Sequence, residues 1–301
     1  MRFPLMAGCL FVLFTMATTA SAANVNDFIN FSLTNPSGVL LPGRLYVPPE
    51  ALADPTTPRP LVLFLHGAGE SGTNNAAQVN GNIDGLLAEA KRRGAFLYAP
   101  QTNAGWSSAT ITDRVMTMVD RALADQNADA SRVYVTGLSM GGGGTWNMLS
   151  RYADQFAAGV PICGVAPASG FVPANLVDQA IATFHARNDS VVSFQTSRNV
   201  IDQILTSAGE SLPAYPDRRN TADFVFSAPG LDLNYIEFGL GGHGIWPFVY
   251  HSPGLYDWLF SHSIVPEPAA VSLWLGGMAM FVVIRRSRAR RRSASRSRAG
   301  S

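Results

Sequence analysis

One stretch of the chain decides the fold: Val133-Tyr-Val-Thr-Gly137-Leu-Ser139-Met-Gly141-Gly-Gly-Gly144. The β-branched and aromatic run predicts a strand, Gly-x-Ser-x-Gly predicts a tight turn, and residues 142–152 predict a helix. This order suits a nucleophilic serine, because the turn lifts the Ser139 hydroxyl clear of the sheet. The positive end of the helix dipole would lie beside that hydroxyl. A phosphate-binding loop is excluded, because no lysine follows the glycines.

Residues 24–264, called the body of the chain below, alternate between predicted strands and predicted helices. Strands are predicted at residues 28–33, 43–47, 61–65, 95–99, 133–136, 157–162, 180–186 and 233–238, and helices at 85–93, from 112, at 142–152, 195–207 and 255–262. This alternation predicts an α/β fold with a mostly parallel central sheet, helices on both faces and a single catalytic domain over residues 24–264. Residues 210–230 match no element and are interpreted as an insertion or loop near the site.

Four polar residues fall just after predicted strands: His66, Ser139, Asp189 and His243. Ligands of parallel sheets with helices on both faces bind beyond the C-terminal ends of the strands. We therefore expect these residues to gather at one edge of the sheet, although they lie far apart in the sequence.

Three of these residues can form a catalytic triad. A serine hydroxyl needs an adjacent base, and that base needs a third group to orient it. The chain order Ser139, Asp189, His243 is the order of α/β-hydrolases and differs from that of chymotrypsin-like and subtilisin-like chains. We predict that Ser139 is the nucleophile, that His243 is the base and that Asp189 orients the imidazole.

The base and the acid both have rivals. His243 is favoured as the base because it lies in a glycine-rich loop after the last strand. The other histidines are His66, His185, His251 and His262. His185 lies in mid-strand and is interpreted as a packed or hydrogen-bonded core residue. Asp189 is favoured as the acid because it directly follows a strand, whereas Asp178 precedes one and Asp202 lies within a helix. A turn or helix-capping role is the alternative for Asp189.

Backbone N–H groups are expected to form the oxyanion hole. One comes from Met140, the residue after the nucleophile, and the other from Ala68, in the loop after an earlier strand. We predict no metal and no cofactor. Cys9 and Cys163 are the two cysteines of the chain, and Cys9 lies in the N-terminal segment, so no cysteine-based metal site is visible.

The composition permits a large core and argues against nucleic-acid binding. The chain has 301 residues and is 47% hydrophobic. Its formal net charge of +1 is misleading, because eight basic residues cluster at 285–298. Residues 23–264 carry 13 basic and 20 acidic side chains, and a mildly acidic body does not favour a nucleic-acid partner.

The N-terminal segment, residues 1–23, predicts a secretory signal peptide. One arginine precedes an apolar run, which is followed by Ala20-Ser-Ala22. This is the order of a charged region, a hydrophobic region and a small-residue cleavage site, with cleavage expected after Ala22 or Ala23. An uncleaved anchor or a buried helix is the alternative.

The C-terminal segment, residues 265–301, has three parts in order. Val265-Pro-Glu-Pro268 precedes an uncharged apolar run at 269–284, interpreted as a transmembrane helix, and a basic tail at 285–301. This segment resembles the PEP-CTERM sorting signal of Gram-negative bacteria. The resemblance implies an exosortase-type enzyme as partner, transient anchoring in the inner membrane, and release or attachment at the cell surface. An ordinary single-pass anchor is the alternative, and either interpretation puts the body outside the cytoplasm.

The body resembles the secreted esterase, polyhydroxybutyrate-depolymerase-like and predicted-peptidase branch of the α/β-hydrolases. The resemblance is carried by Leu65-His-Gly-Ala-Gly69, Arg132-Val-Tyr-Val-Thr-Gly-Leu-Ser-Met-Gly-Gly142, Phe156-Ala-Ala-Gly-Val-Pro-Ile-Cys-Gly164 and Gly242-His-Gly-Ile-Trp246. It implies that Trp246 lines the substrate pocket and that Trp106 forms a cleft wall, with core packing as the alternative for both. His66 is placed with them at the site, where it would brace the oxyanion loop. The glycine run at 141–144 and residues 210–230 depart from the family pattern.

The sequence thus predicts an exported serine hydrolase that cleaves carboxylic esters of small or polymeric substrates. A serine peptidase on the same fold would use the same triad, so the sequence leaves that alternative open. A non-catalytic surface protein that binds a ligand is the alternative from a different class.

Overall fold

The computed structural model describes residues 22–264. Most of the predicted signal peptide and the whole predicted sorting segment, including the apolar run at 269–284, lie outside the described residues. Within 22–264, none of the helices has the length and apolar character that crossing a membrane requires.

Strands and helices alternate along the described chain. In chain order the strands are β1 (Ile29–Asn30), β2 (Leu33–Asn35), β3 (Gly38–Leu41), β4 (Gly43–Tyr46), β5 (Arg59–Leu65), β6 (Phe96–Pro100), β7 (Ala128–Leu138), β8 (Ala158–Ile162), β9 (Ile181–Ala186), β10 (Phe224–Ser227) and β11 (Leu233–Phe238). The helices are α1 (Pro49–Ala53), α2 (Asp84–Arg93), α3 (Ala109–Asp125), α4 (Met140–Arg151), α5 (Gln195–Ala208), α6 (Trp246–Tyr250) and α7 (Pro253–Leu259). The predicted helix at 85–93 is confirmed, and Gly94 ends it with a left-handed φ of 61°.

A nine-stranded sheet forms the centre, in the order β1-β4-β6-β5-β7-β8-β9-β11-β10. The neighbours from β6 to β11 pair in parallel. Antiparallel pairs extend the sheet at both edges. The predicted mostly parallel sheet is therefore confirmed, and the C-terminal ends of its parallel strands share one edge.

Strand β5 shows how the sheet divides the core into two apolar layers. Leu61, Leu63 and Leu65 face one layer, whereas Val62 and Phe64 face the other, because successive side chains of a strand point to opposite faces. Helices α3, α4 and α5 contribute buried side chains to the first layer, and α2, α6 and α7 contribute to the second. The predicted helices on both faces are therefore confirmed.

Three sequence-based assignments need correction. The expected pair of strands at 28–33 and 43–47 is reduced to the two-residue β1 on β4, and the turn at 36–37 closes the separate hairpin β2–β3. The closing helix begins at Pro253 and ends at Leu259, and α6 before it was not predicted. Residues 210–230 contain the edge strand β10, which pairs with β11, so this part of the segment belongs to the sheet.

A buried charge cluster holds the 210–230 segment to the sheet. The Glu237 carboxylate accepts hydrogen bonds from Arg187 and Arg198 at 2.6–2.7 Å and from the Tyr235 hydroxyl at 2.6 Å. Burial alone would raise the pKa of Glu237, but the bonds from Arg198, Tyr235 and Arg187 lower it below its usual value. Both arginines also donate to backbone carbonyls within 210–230. Since Arg187 directly follows β9, the cluster also fixes the start of the loop that carries Asp189.

The cluster gives a stability prediction. We expect Glu237→Gln to lower the free energy of unfolding by about 3–5 kcal/mol, because it leaves two buried guanidinium groups without a counter-charge. Guanidinium chloride unfolding at neutral pH measures the loss. Asp125→Asn is the matched control, since Asp125 pairs with Arg121 at a half-exposed site and such pairs contribute about 0.5 kcal/mol or less. Equal stabilities of the two variants would contradict the prediction.

Candidate active site

Ser139 stands on a strained turn between β7 and α4. Its φ of 55° and ψ of −115° lie outside the regions that non-glycine residues usually adopt. Such a conformation costs about 1–3 kcal/mol and persists where the surrounding structure imposes it. Here the Ser139 N–H donates to Ile162 O at 2.9 Å, and the Ser139 carbonyl accepts from Gly143 N and Val165 N at 3.1 Å. The predicted strand, turn and helix around Ser139 are therefore present.

The glycine run after Ser139 lets α4 approach the sheet closely. A Cβ on Gly141 would lie 1.9 Å from the Leu65 carbonyl oxygen. A Cβ on Gly144 would lie 2.5 Å from Trp106 Cβ. Glycine lowers helix propensity by about 1 kcal/mol relative to alanine, but here backbone and side-chain atoms fill the space that a Cβ would need. The run that departs from the family pattern is thus a packing requirement of this chain.

The three predicted triad residues meet at the C-terminal edge of the sheet. His243 Nε2 lies 2.9 Å from Ser139 Oγ, and His243 Nδ1 lies 2.7 Å from Asp189 Oδ2. The Asp189 side chain is fully buried, whereas the imidazole of His243 is 16% exposed. Because Asp189 can only accept, Nδ1 carries the proton and Nε2 is free to accept from the serine hydroxyl. This is the arrangement that a serine nucleophile and its base require.

Asp189 is held as a carboxylate by three hydrogen bonds and by a second imidazole nearby. Its Oδ1 accepts from the N–H groups of Val191 at 2.8 Å and Val192 at 2.9 Å. Its Oδ2 accepts from His243 and lies 3.2 Å from His185 Nε2. Burial alone would raise the pKa of Asp189, but the bonds from His185, His243, Val192 and Val191 together hold it well below its usual value. The acid is therefore ionised throughout the neutral range.

The oxyanion-hole candidates are each the first residue of a helical segment. Met140 is the first residue of α4, and Ala68 is the first residue of a 3-10 turn after β5. The first N–H groups of a helical segment have no intrahelical acceptor, so these two can bind an anionic oxygen. Met140 is half-buried and Ala68 is exposed, so both lie within reach of a ligand from solvent.

Two residues expected at the site, Trp106 and His66, are buried. Trp106 is 1% exposed and its indole N–H donates to the His66 carbonyl at 3.0 Å, so the expected cleft wall is corrected to core packing against Gly144. His66 is 0% exposed and accepts at Nε2 from Thr102 N at 3.2 Å. His66 therefore braces the loop that carries Ala68 and presents no surface to a substrate.

Trp246 lies beside the base. Its ring meets the His243 imidazole edge-on, with centroids 5.4 Å apart, and its N–H donates to Asn82 Oδ1 at 2.9 Å. Asn82 in turn donates to Glu70 Oε1 at 2.6 Å, which joins the histidine loop to the loop after β5. Trp246 is half-buried, so a pocket role stays a prediction.

Two further residues adjoin the triad without having been predicted there. His185 is close to Asp189, although its mid-strand position indicated a core residue. Cys163 directly follows β8, the same placement that identified the other site residues, and its φ is 46°. Burial and the charge of Asp189 raise the pKa of the Cys163 thiol well above its usual value, so it is protonated and not a nucleophile.

Among the residues that the structure describes, one group has donor atoms close enough for a metal ion: Cys163, Asp189 and His243, with atoms within 4.8 Å of one another. The 2.7 Å contact between Asp189 and His243 is a hydrogen-bond distance. These two residues share a proton, so the group belongs to the triad.

Part of the chain is similar in sequence, and most of it in structure, to known hydrolases. Residues 91–217 match the Dienelactone hydrolase family, a range that contains Ser139 and Asp189 but not His243. A solved structure described as a thermostable esterase superposes with a TM-score of 0.65 at 30% identity, covering 79% of this chain and 64% of that one.

Two curated relatives are esterases by name. The chain is 32% identical over 151 residues to acetylxylan esterase A of Emericella nidulans, covering 50% of this chain and 47% of that protein. It is 27% identical over 214 residues to the bifunctional acetylxylan esterase/xylanase XynS20E of Neocallimastix patriciarum, covering 63% of this chain and 31% of that protein. The chain thus spans about half or less of the length of these relatives. Its fold is the α/β-hydrolase fold.

The close packing of α4 gives a second prediction. Alanine favours a helix over glycine by about 1 kcal/mol, but the Gly141→Ala methyl would force α4 away from β5, and overpacking of this kind costs about 1–3 kcal/mol or more. We expect a net loss of stability, measured by chemical denaturation. Gly69→Ala is the control, since its Cβ would meet no atom within 4 Å. A Gly141→Ala variant as stable as the Gly69→Ala control would contradict this packing account.

Proposed function

We propose that the protein is an exported serine hydrolase that cleaves carboxylic ester bonds. The observation that carries the proposal is the unbroken hydrogen-bonded series from Ser139 Oγ through His243 to the buried Asp189, at 2.9 and 2.7 Å, on a strained strand-to-helix turn. The esterase relatives add support from similarity.

The first half of the proposed reaction forms an acyl-enzyme. Ser139 Oγ attacks the acyl carbon while its proton passes to His243 Nε2. The imidazolium that forms keeps its Nδ1 proton directed at Asp189, whose negative charge stabilises it. The leaving alkoxide then takes the proton from Nε2, and the acyl group stays on the serine.

The second half releases the acid. Water enters where the alcohol left, gives a proton to His243 Nε2 and attacks the ester carbon of the acyl-enzyme. The Ser139 oxygen leaves and takes that proton back, so the enzyme returns to its starting state. No redox partner is needed, because atoms and charges balance with water alone.

Negative charge develops on the acyl oxygen in both halves. We assign its stabilisation to the N–H groups of Met140 and Ala68, with the N-terminus of α4 adding its dipole. One such donor contributes about 3–4 kcal/mol to the transition state. Side-chain identity at these two positions matters little, since only the backbone donates.

The relatives suggest acyl esters of plant polysaccharides as the substrate class, since two of them are named for acetylxylan. The Trp246 ring lies edge-on to the base and would contact the group that enters the site.

A peptidase is the closest alternative, because amide hydrolysis would use the same triad. A non-catalytic binding protein is less well supported, because a binding role gives no reason to hold Ser139 in a strained conformation within 2.9 Å of an imidazole. Both alternatives are outcomes of the experiment below.

The export part of the proposal rests on the two terminal segments. Residues 1–23 have the order of a signal peptide, and residues 265–301 have the three parts of a PEP-CTERM signal. We propose that the chain is exported and anchored transiently in the inner membrane through residues 269–284. An exosortase-type enzyme would then recognise the segment and cleave it near Pro266-Glu-Pro268.

The catalytic proposal predicts the behaviour of a serine variant. We expect the full-length protein to hydrolyse 4-nitrophenyl acetate and to release acetate from acetylated xylan, with the amide 4-nitroacetanilide cleaved far more slowly. Ser139→Ala is expected to lower kcat by a factor of roughly 10⁴–10⁶.

The exposed Ser207 on α5 offers a matched control, since Ser207→Ala should leave the rate unchanged. Full activity in Ser139→Ala would refute the triad, and preference for the amide would favour the peptidase. Binding of acetylated xylan without any turnover by the folded wild type would favour the binding protein.

The export proposal predicts the mature N-terminus. In a Gram-negative host, mass spectrometry of the protein recovered outside the cytoplasm should find a chain that begins at Ala23 or Asn24. A cytoplasmic chain that still begins at Met1 would refute export. Changing Ala20 and Ala22 to arginine should block cleavage, because the cleavage site needs small residues.

A further inference from the structure

A second imidazole lies against the proposed triad acid. His185 is on β9, four residues before Asp189, and is 0% exposed. Its Nε2 lies 3.2 Å from Asp189 Oδ2, the same oxygen that accepts from His243 Nδ1 at 2.7 Å. Asp189 therefore stands between two histidines that come from different parts of the chain.

The partners of His185 determine where its protons lie. Nε2 faces two acceptors, Asp189 Oδ2 and the Val192 carbonyl at 3.1 Å, so Nε2 carries a proton and donates. Nδ1 lies 2.8 Å from the hydroxyl of Ser197, a fully buried residue in the first turn of α5. A hydroxyl can donate to Nδ1, so both ring nitrogens have a partner when Nε2 carries a proton.

We propose that His185 is a positioning residue for Asp189, an inference that rests on the proposed function. The N–H groups of Val191 and Val192 donate to Oδ1, whereas the Nε2–H of His185 donates to the Val192 carbonyl at 3.1 Å and lies 3.2 Å from Oδ2, where it adds positive charge density beside that oxygen. With N–H groups beside both oxygens, the carboxylate cannot rotate, and a lone pair of Oδ2 stays directed at His243. His185 acts only through Asp189, because no hydrogen bond joins it to Ser139 or His243 in the described structure.

The position would otherwise suit an apolar side chain. All six residues of β9 are buried, and Ile181, on the same face of the strand as His185, packs in the apolar layer that contains the buried side chains of α5. A buried imidazole costs free energy unless its nitrogens are paired. Here both nitrogens have polar partners, and Nε2 lies 3.2 Å from the triad acid. The buried imidazole is therefore explained by its contact with Asp189.

Three variants separate positioning from packing. His185→Leu removes the donor and keeps a buried side chain of moderate size. His185→Gln keeps an N–H at about the reach of Nε2, whereas His185→Asn has the same amide on a shorter side chain that does not reach Oδ2. Asn and Gln thus form a matched polar pair, which still tests the proposal if the leucine variant does not fold.

We expect His185→Leu and His185→Asn to lower kcat for 4-nitrophenyl acetate by about 10- to 100-fold with KM changed less than about twofold, since small misplacement of catalytic groups has this effect. The kcat of His185→Gln should stay within about threefold of the wild-type value.

The same variants should differ in pH dependence. The groups that face Asp189 are His185, His243 and the Cys163 thiol. Losing one donor leaves more negative charge on Oδ2 to stabilise the imidazolium of His243, so the acidic limb of the kcat/KM profile should move to higher pH in Leu and Asn only.

A readout without turnover tests the same point. Proton NMR of the full-length protein should show the hydrogen-bonded Nδ1 proton of His243 at low field, and the resonance should move or broaden in Leu and Asn but not in Gln. Wild-type kcat, pH profile and resonance in folded Leu and Asn variants would overturn the positioning role. Equal losses of kcat in the His185→Asn and His185→Gln variants would show that His185 only packs and does not position Asp189. If the wild type turns over no ester, the proposed function fails, and the NMR comparison alone decides whether His185 orients the Asp189–His243 pair.

Discussion

The close approach of α4 to the sheet is the constraint on which the site depends. Because 1.9 Å would separate a Gly141 Cβ from the Leu65 carbonyl, only glycine lets the helix start at this distance from β5. The chain must then pass from β7 to α4 within one residue, and Ser139 takes the strained conformation that this turn requires. The packing of α4 on the sheet thus imposes the turn that lifts the Ser139 hydroxyl clear of the sheet. Trp106 supports the same contact between α4 and the sheet. It packs on Gly144 of α4, and its indole N–H donates a hydrogen bond to the carbonyl of His66, which follows β5.

The parallel sheet brings the remaining groups to that hydroxyl. Ser139, Asp189 and His243 each follow a different strand, and the shared direction of those strands gathers them at one edge. The acid is buried and the base is partly exposed, which suits their proposed roles. A buried carboxylate that accepts three hydrogen bonds stays ionised, and an imidazole open to solvent on one side can exchange protons with water. The charge cluster around Glu237 holds the chain just after β9, so the acid and its loop start from a fixed point.

Much of this architecture was predictable, and the exceptions share a physical cause. The order of strands and helices was visible because the apolar runs are long, and the site residues were visible because glycines and polar residues interrupt those runs. The burial of Trp106 was not visible, because its environment is set by the missing Cβ of Gly144, far along the chain. His185 was assigned to the core because every residue of β9 is buried on one face or the other, so no alternation marks the side that meets Asp189. The short strand β10 was missed because its apolar run, Phe224-Val-Phe226, is shorter than the runs that usually mark a strand. The export roles proposed for residues 1–23 and 265–301 are argued from the sequence pattern.

The central claim is that Ser139 is an activated nucleophile, and covalent labelling tests it most directly. A fluorophosphonate reacts with a serine whose hydroxyl can give up its proton to an adjacent base. We expect the folded full-length protein to form one adduct, on the peptide that contains Ser139, with little labelling in a His243→Gln variant. A folded wild-type protein that forms no adduct, or that carries it on another serine, would contradict the account.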